Sequence, residues 1–312
     1  MWLLCSAVLL VVLLFAVGYY TFHTACRRKA EVNWLDEIDL QNTSYEKYAK
    51  QIQAADHWLK SHTAVDVWIQ SHDGQKLHAQ WIPVNDPKGT VLLAHGYRST
   101  KLLDFSMVYE LYHNLGINLL LIDQRSHGHS EGKYITFGVL ESRDVQAWVK
   151  FHNQHFGAHP MLLSGLSMGA STVLYLADRE LPENIKGIIA DCGFTSPKEI
   201  IGKVFKDTVH FGPGPFLWAA DLFARVLAGF SFYERDTRKS LAKSKIPILF
   251  VHGTGDDFVP CYMTEQAFEA CTSEKEMFLV ENAGHGTSYL YDTPGYRKRV
   301  MAFLRKYMNK DI

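Results

Sequence analysis

Four runs between residues 90 and 251 are apolar at almost every position: Thr90–Ala94, Ile117–Ile122, Ile185–Ala190 and Ile246–Val251. A strand with one wet face alternates apolar and polar residues, whereas a strand apolar at successive positions must be covered on both faces, as in a parallel sheet flanked by helices. Met161–Ser164 and Met277–Val280 read as two further strands. Helical stretches such as Phe105–Asn114 and Val139–Phe156 lie between them, so the pattern predicts right-handed crossovers building one doubly wound sheet. Ahead of these, Val65–Ile69 and Leu77–Ile82 alternate and are separated by a turn at Asp73-Gly74, which predicts an antiparallel hairpin. Residues Thr43 to Lys60, with Tyr45, Tyr48, Ile52 and Leu59 near a helical period, read as an amphipathic helix on the flank.

Two stretches fall outside this alternation. From Trp2 to Phe22 no residue is charged, a length that can span a bilayer, with Tyr19 and Tyr20 where an interfacial aromatic belt would lie. A cleaved signal peptide competes with the anchor reading but lacks a basic leading region; Thr24-Ala25-Cys26 resembles a lipoprotein cleavage site, although His23 stands where an aliphatic residue is usual. Arg27-Arg28-Lys29 after the apolar run favours a cytoplasmic body. The second stretch, residues 195 to 245, separates two strands by more than one crossover helix needs. Its centre, Phe216 to Leu227, carries charge only at Asp221 and Arg225, one helical turn apart.

Composition narrows the class. The chain has 312 residues with 32 Lys+Arg against 33 Asp+Glu, a net charge of −1, which lacks the basic surface that nucleic-acid binding requires. With 47% apolar and 21% charged residues it is a folded chain with a large core. Five scattered cysteines without Cys-x-x-Cys spacing offer neither a disulfide framework nor a structural zinc site.

The strongest chemical signal is Gly165-Leu166-Ser167-Met168-Gly169, placed between the strand at 161–164 and a helical run. A turn that tight needs small flanking residues and lifts the hydroxyl above the sheet edge, which is the setting of a nucleophile elbow. A serine hydroxyl is a weak nucleophile at neutral pH, so it needs a base and the base an orienting carboxylate. His285 in Ala283-Gly284-His285-Gly286 and Asp256 in His252-Gly253-Thr254-Gly255-Asp256-Asp257-Phe258-Val259-Pro260 each follow a strand, in the order such a site needs.

On these motifs the chain from about Val65 to its C-terminal helix resembles the α/β-hydrolases, and within them the bacterial, membrane-anchored subgroup labelled serine-aminopeptidase-like. The resemblance implies that His-Gly-x-x-Asp-x-x-Val-Pro carries the acid at Asp256, with Asp257 an adjacent decoy and Asp191 a third candidate. It implies His285 as base, and an oxyanion hole from the Met168 amide and the Tyr97 amide after His95-Gly96. The loop Asp123-Gln124-Arg125-Ser126-His127-Gly128-His129 also matches; His127 and His129 lack companion metal ligands, and Asp123 and Arg125 are expected to tie the loop together under the site. Ser167 in place of an aspartate nucleophile disfavours dehalogenase and epoxide hydrolase chemistry.

These residues lead to a membrane-anchored serine hydrolase that cleaves small-molecule or lipid-like carboxylic esters through an acyl-enzyme, with no cofactor or metal and no nucleic-acid partner. Acyl-protein or acyl-CoA thioesterase and aminopeptidase are the enzymic alternatives; a catalytically silent receptor or scaffold would usually lack a triad member. The expected organisation is an anchor with its basic flank at 1–29, a helical lead-in at 30–63 and a hydrolase domain at 64–312. Within 195–245 a lid is expected, with Trp218, Leu222 and Phe223 as candidate substrate contacts lining an acyl pocket above Ser167, against the alternative of plain packing onto the sheet.

Overall fold

The computed structural model describes residues 2–29 and 46–312. Helix α1 spans Trp2–Cys26 and α2 Ala49–Ser61; β1 (Val65–Gln70), β2 (Lys76–Ile82) and β3 (Gly89–Ala94) follow. Then come α3 (Lys101–Asn114), β4 (Ile117–Ile122), α4 (Glu141–His155), β5 (Met161–Leu166), α5 (Met168–Leu174) and β6 (Ile185–Asp191). After β6 the chain forms α6 (Pro197–Val209), α7 (Gly214–Phe223) and α8 (Thr237–Leu241), then β7 (Ile248–Gly253), α9 (Tyr262–Ala270), β8 (Lys275–Val280), α10 (Ser288–Tyr291) and α11 (Thr293–Phe303).

The strands form one sheet in the order β1-β2-β4-β3-β5-β6-β7-β8. The hairpin β1/β2 and the β2/β4 contact are antiparallel and all other pairs parallel. Successive side chains point to opposite faces, so Leu92 and Ala94 join one buried cluster with Trp148 and Val173, while Val91 and Leu93 join another with Tyr109 and Phe303. Removing each such aliphatic side chain from water stabilises the fold by about 1.5–3 kcal/mol.

Local chemistry moves several boundaries. Strand β7 begins at Ile248, two residues after the expected start, because Pro247 has no N–H to give the ladder and only its carbonyl is used, by the Ile188 amide at 2.9 Å. Helix α3 begins at Lys101, ahead of the expected Phe105, because the Thr100 hydroxyl caps the Leu103 amide. Of the expected Thr43–Lys60 helix, Thr43 to Tyr45 lie outside the described residues; the remainder is a short 3₁₀ turn and α2, which packs on α3 through Trp58 and Leu59.

Two features bear on the expected organisation. The stretch 195–245 forms three helices with a π turn at Ala224–Ala228 that ends at left-handed Gly229. Helix α1 runs past the apolar stretch, and its last turn belongs to the catalytic body. Phe22 and Cys26 are buried in a third cluster with Met168, Phe137, Phe194, Leu217 and Val259. Arg27 pairs with Tyr134 as a bridge, the Ile135 amide donates to the Cys26 carbonyl, and the Arg28 guanidinium donates to the Gly128 and Ser130 carbonyls at 2.6 Å each. The end of the segment expected as an anchor therefore packs on the body.

Candidate active site

Strand β5 ends at Leu166 and α5 begins at Met168, so the turn between them is a single residue, Ser167. Its backbone sits at φ 55°, ψ −116°, a conformation that a residue with a side chain rarely adopts and that costs roughly 1–3 kcal/mol. The neighbourhood holds it there. The Ser167 amide donates to the Asp191 carbonyl at 2.8 Å, and its own carbonyl accepts from Ser171 at 3.1 Å. A Cβ on Gly165 would fall into the Gly169 backbone, and one on Gly169 would fall onto the Ala94 carbonyl oxygen. Both flanking glycines are thus dictated by close approach of backbone.

His285 follows β8 on a loop that crosses the carboxyl edge of the sheet. Its Nε2 lies 2.9 Å from Ser167 Oγ and its Nδ1 2.7 Å from Asp256 Oδ2. Because Asp256 accepts at Nδ1, that nitrogen carries the proton, which leaves Nε2 free to accept the serine hydroxyl proton. Asp256 Oδ1 accepts from the Phe258 and Val259 amides at 2.9 and 2.8 Å. Burial alone would raise the Asp256 pKa, but hydrogen bonds from His252, His285 and Val259 hold it well below the usual carboxylate range. Asp257 is exposed, and Asp191 points elsewhere, with Ser288 donating to its carboxylate at 3.2 Å. Burial pushes the Asp191 carboxyl up to about 6.

Among the described residues the amides of Tyr97 and Met168 meet no hydrogen-bond acceptor. Gly96 donates its amide to Asp104 Oδ2 at 2.6 Å, and the Arg98 amide donates to His127 Nε2 at 3.0 Å. The Tyr97 amide is left between two anchored ones. The Tyr97 side chain is not at the reacting centre: its hydroxyl donates to the Ala25 carbonyl at 2.7 Å and its ring stacks on Phe137. His127 spends its other nitrogen on the Arg125 carbonyl, and burial drives its pKa down to about 3, so it is neutral at ordinary pH. Arg125 is held by Asp144 at 2.6 and 2.7 Å and by Asp73 at 2.9 and 3.2 Å; Asp123 accepts from His78 and Lys101.

Residues 85–230 match the family model described as serine aminopeptidase, S33, and residues 231–309 match that of TAP-like proteins. The chain belongs to the α/β-hydrolase superfamily. Its fold is shared with the Pyrococcus furiosus esterase Pf2001, at 26% identity and a TM-score of 0.65 over 80% of this chain and 94% of that one. An esterase from Exiguobacterium antarcticum matches in fold at 17% identity and a TM-score of 0.58, over 77% of this chain and all of that chain. In sequence the chain is 29% identical to YqkD of Bacillus subtilis (strain 168), over 74% of this chain and 76% of that protein. It is 23% identical, over 62% of each, to YNL320W of Saccharomyces cerevisiae, described as a membrane protein.

Of the substrate contacts expected on α7 of this hydrolase, Phe223 packs half-buried against the cluster that contains Met168, while Trp218 and Leu222 are exposed. Trp218 and Phe223 meet the rings of Phe15 and Tyr19 on α1. The opposite face of α7 carries the covering residues, Leu217, Ala220 and Ala224, in the cluster that contains Met168. The reason is the unexpected partner: α1 lies along α7, so the large rings that looked like pocket lining are the ones that face α1. Asp221 does more than pair with Arg225 at 2.7 Å, since it also accepts from the Phe232 amide at 2.6 Å and anchors the returning chain.

Two residues beside Asp256 and His285 were not singled out by the sequence. His252 lies beneath Asp256, its Nε2 3.2 Å from Oδ2 and 2.9 Å from the Val259 carbonyl, with Thr264 at 2.7 Å from Nδ1. Phe258, partly exposed, sets its ring edge against His285 at 5.0 Å. The signal for both was their place in the Asp256 loop, which spacing alone cannot convert into contact. Among the described residues one group, Cys192, Asp256 and His285, brings metal-ligand atoms together. There His285 and Asp256 already bond each other, and burial pushes the Cys192 thiol well up, so it stays protonated.

Proposed function

We propose that this chain is a membrane-anchored serine esterase that forms an acyl-enzyme at Ser167. The observation that carries the reading is the unbroken relay Ser167 Oγ, His285, Asp256 at 2.9 and 2.7 Å. Ser167 attacks the ester carbonyl while His285 Nε2 takes its proton; the charge that develops on the carbonyl oxygen is met by the Met168 and Tyr97 amides. His285 then returns the proton to the leaving alcohol, and in the second half activates water against the acyl-enzyme. Asp256 stays ionised throughout, stabilising the imidazolium. Two preorganised amides in a water-poor site each typically contribute about 10²–10³ in rate.

The likeness to the Pyrococcus furiosus esterase supports an oxygen ester as substrate. Phe137, Phe194 and Leu217 in one buried cluster with Met168 make the surroundings of that amide apolar, which supports an apolar acyl group over a charged one. Helix α1, with 25 residues and no Asp, Glu, Lys or Arg, supports a single-pass anchor, and the cluster Arg27-Arg28-Lys29 after it supports a cytoplasmic body.

Labelling of the full chain by a fluorophosphonate tests the reading. Ser167→Ala abolishes the label and lowers ester turnover by roughly four to six orders of magnitude, whereas Ser164→Ala, buried in β5, leaves labelling intact. Labelling that survives the first change and is lost with the second contradicts the assignment. Presenting oxygen ester, thioester and aminoacyl amide with one acyl group then ranks the leaving groups.

A further inference from the structure

Helix α7 and the π turn after it are uncovered on one side. Trp218, Leu222 and Val226 recur at every fourth position, 55%, 39% and 73% exposed, with Leu227 beside them, and Phe211 is exposed in the preceding loop. A helix stripe this apolar is ordinarily buried. What covers it is indicated by the neighbour on its flank. Gly18 of α1 comes so close to α7 that a Cβ there would lie 2.5 Å from the Ala219 Cβ, and Phe15 and Tyr19 hold the rings of Trp218 and Phe223.

Depth follows from helix geometry. A hydrocarbon core about 30 Å thick takes up about twenty residues at 1.5 Å per residue, roughly Trp2 to Thr21 of α1. Phe15, Gly18 and Tyr19 then lie about 3–9 Å below the hydrocarbon boundary, and α7, packed against them, lies at the same depth. That matches the 5–10 Å to which interfacial helices sink. Leu3, Leu9 and Val12 on α1 are exposed like the α7 stripe, and the two surfaces adjoin where Phe15 meets Trp218. The one charge on the outer side, Arg225, is paired with Asp221 and has a stem long enough to reach the headgroups.

We infer that the exposed face of α7 and its π turn is seated in the bilayer beside the anchor, so that the catalytic body rests on the membrane rather than hanging from it. The inference rests on reading α1 as a membrane span. The test uses the full chain in vesicles of phosphatidylcholine and phosphatidylglycerol, with Cys5→Ala and Cys261→Ser removing the two accessible thiols. An environment-sensitive fluorophore is attached in turn at Val226→Cys, at Val8→Cys on α1 and at Glu269→Cys on the exposed side of α9. The expected result is quenching of the 226 probe by doxyl-labelled lipid, as at 8, and iodide quenching at least about fivefold weaker than at 269. Iodide quenching at 226 equal to that at 269, with the probe at 8 still quenched by lipid, overturns the inference and leaves the anchor intact. Iodide access at 8 overturns the anchor reading, and the inference falls with it. A 226 probe shielded from both quenchers in a chain of doubled mass assigns the face to a second copy instead.

Discussion

Asp256 has two imidazoles on one oxygen, and they do different work. In the proposed mechanism His285 exchanges protons with Ser167; His252, fully buried, faces two acceptors with Nε2, so that nitrogen carries a proton and can only hold the carboxylate in place. Hydrogen bonds to charged groups are worth about 1.5–3 kcal/mol, so His252→Ala should lower kcat by roughly ten- to a hundredfold, and His252→Gln, which can donate from nearly the same point, should recover most of it in steady-state assays. Equal losses in both variants with unchanged melting would remove His252 from the account. Asp191 separates structure from chemistry differently. Its carboxyl titrates near 6 in the folded chain against an unfolded value near 3.8, so the folded state holds the proton more tightly and stability falls as pH rises from about 4 through about 6. Asp191→Asn mimics the protonated form. Its stability, read by melting, should gain on the parent as pH rises from about 4 through about 6, by up to about 3 kcal/mol in all, with activity largely kept. A gap that does not change with pH would contradict the raised titration, and a loss of turnover like that expected of Asp256→Asn, about 10³–10⁴, would show that Asp191 carries the chemistry.

At the scale of elements, the glycines state where backbones touch. Gly169→Ala would drive a methyl group onto the Ala94 carbonyl and should abolish soluble expression or lower stability by several kcal/mol, read by thermal melting; a variant that melts like the parent would mean the elbow is looser than drawn. The elbow was legible in the sequence because its constraint is local: strand, serine, helix and two small residues lie within about ten positions. So were the strands of the parallel sheet, whose doubly covered faces leave unbroken apolar runs such as Thr90–Ala94. The facing of α7 was not legible. Trp218, Leu222 and Phe223 have the same apolar character whether they line a pocket, pack on a sheet or meet another helix, and the choice was made by α1, some two hundred residues away. His252 was hidden for a related reason, since nothing in His252-Gly253 shows that the loop folds back to set the ring under Asp256.

For the whole molecule, the joining of α1 to the body changes what a soluble fragment can be. The first half of α1 is exposed along its length, whereas Phe22 and Cys26 are buried and the carbonyls of Thr24, Ala25 and Arg27 accept hydrogen bonds from Arg98 or Tyr97 in the loop that carries the Tyr97 amide. Deleting residues 1–13 in detergent should leave melting within a degree or two, while deleting 1–29 should lower it by about 5–10 °C and weaken turnover, because a buried Phe alone is worth about 3–5 kcal/mol. Equal melting of the two deletions would mean that the last turn of α1 contributes nothing to the body.

The proposed activity turns on Ser167 carrying the acyl group. The most direct measurement is acid quenching of the full-length enzyme during turnover of a chromogenic hexanoate ester, followed by mass analysis of the protein and its peptides. The account predicts one added hexanoyl group per chain on the peptide containing Ser167, appearing with the burst of alcohol and absent in Ser167→Ala. Turnover with no acylated protein, or with the acyl group on another residue, would contradict it.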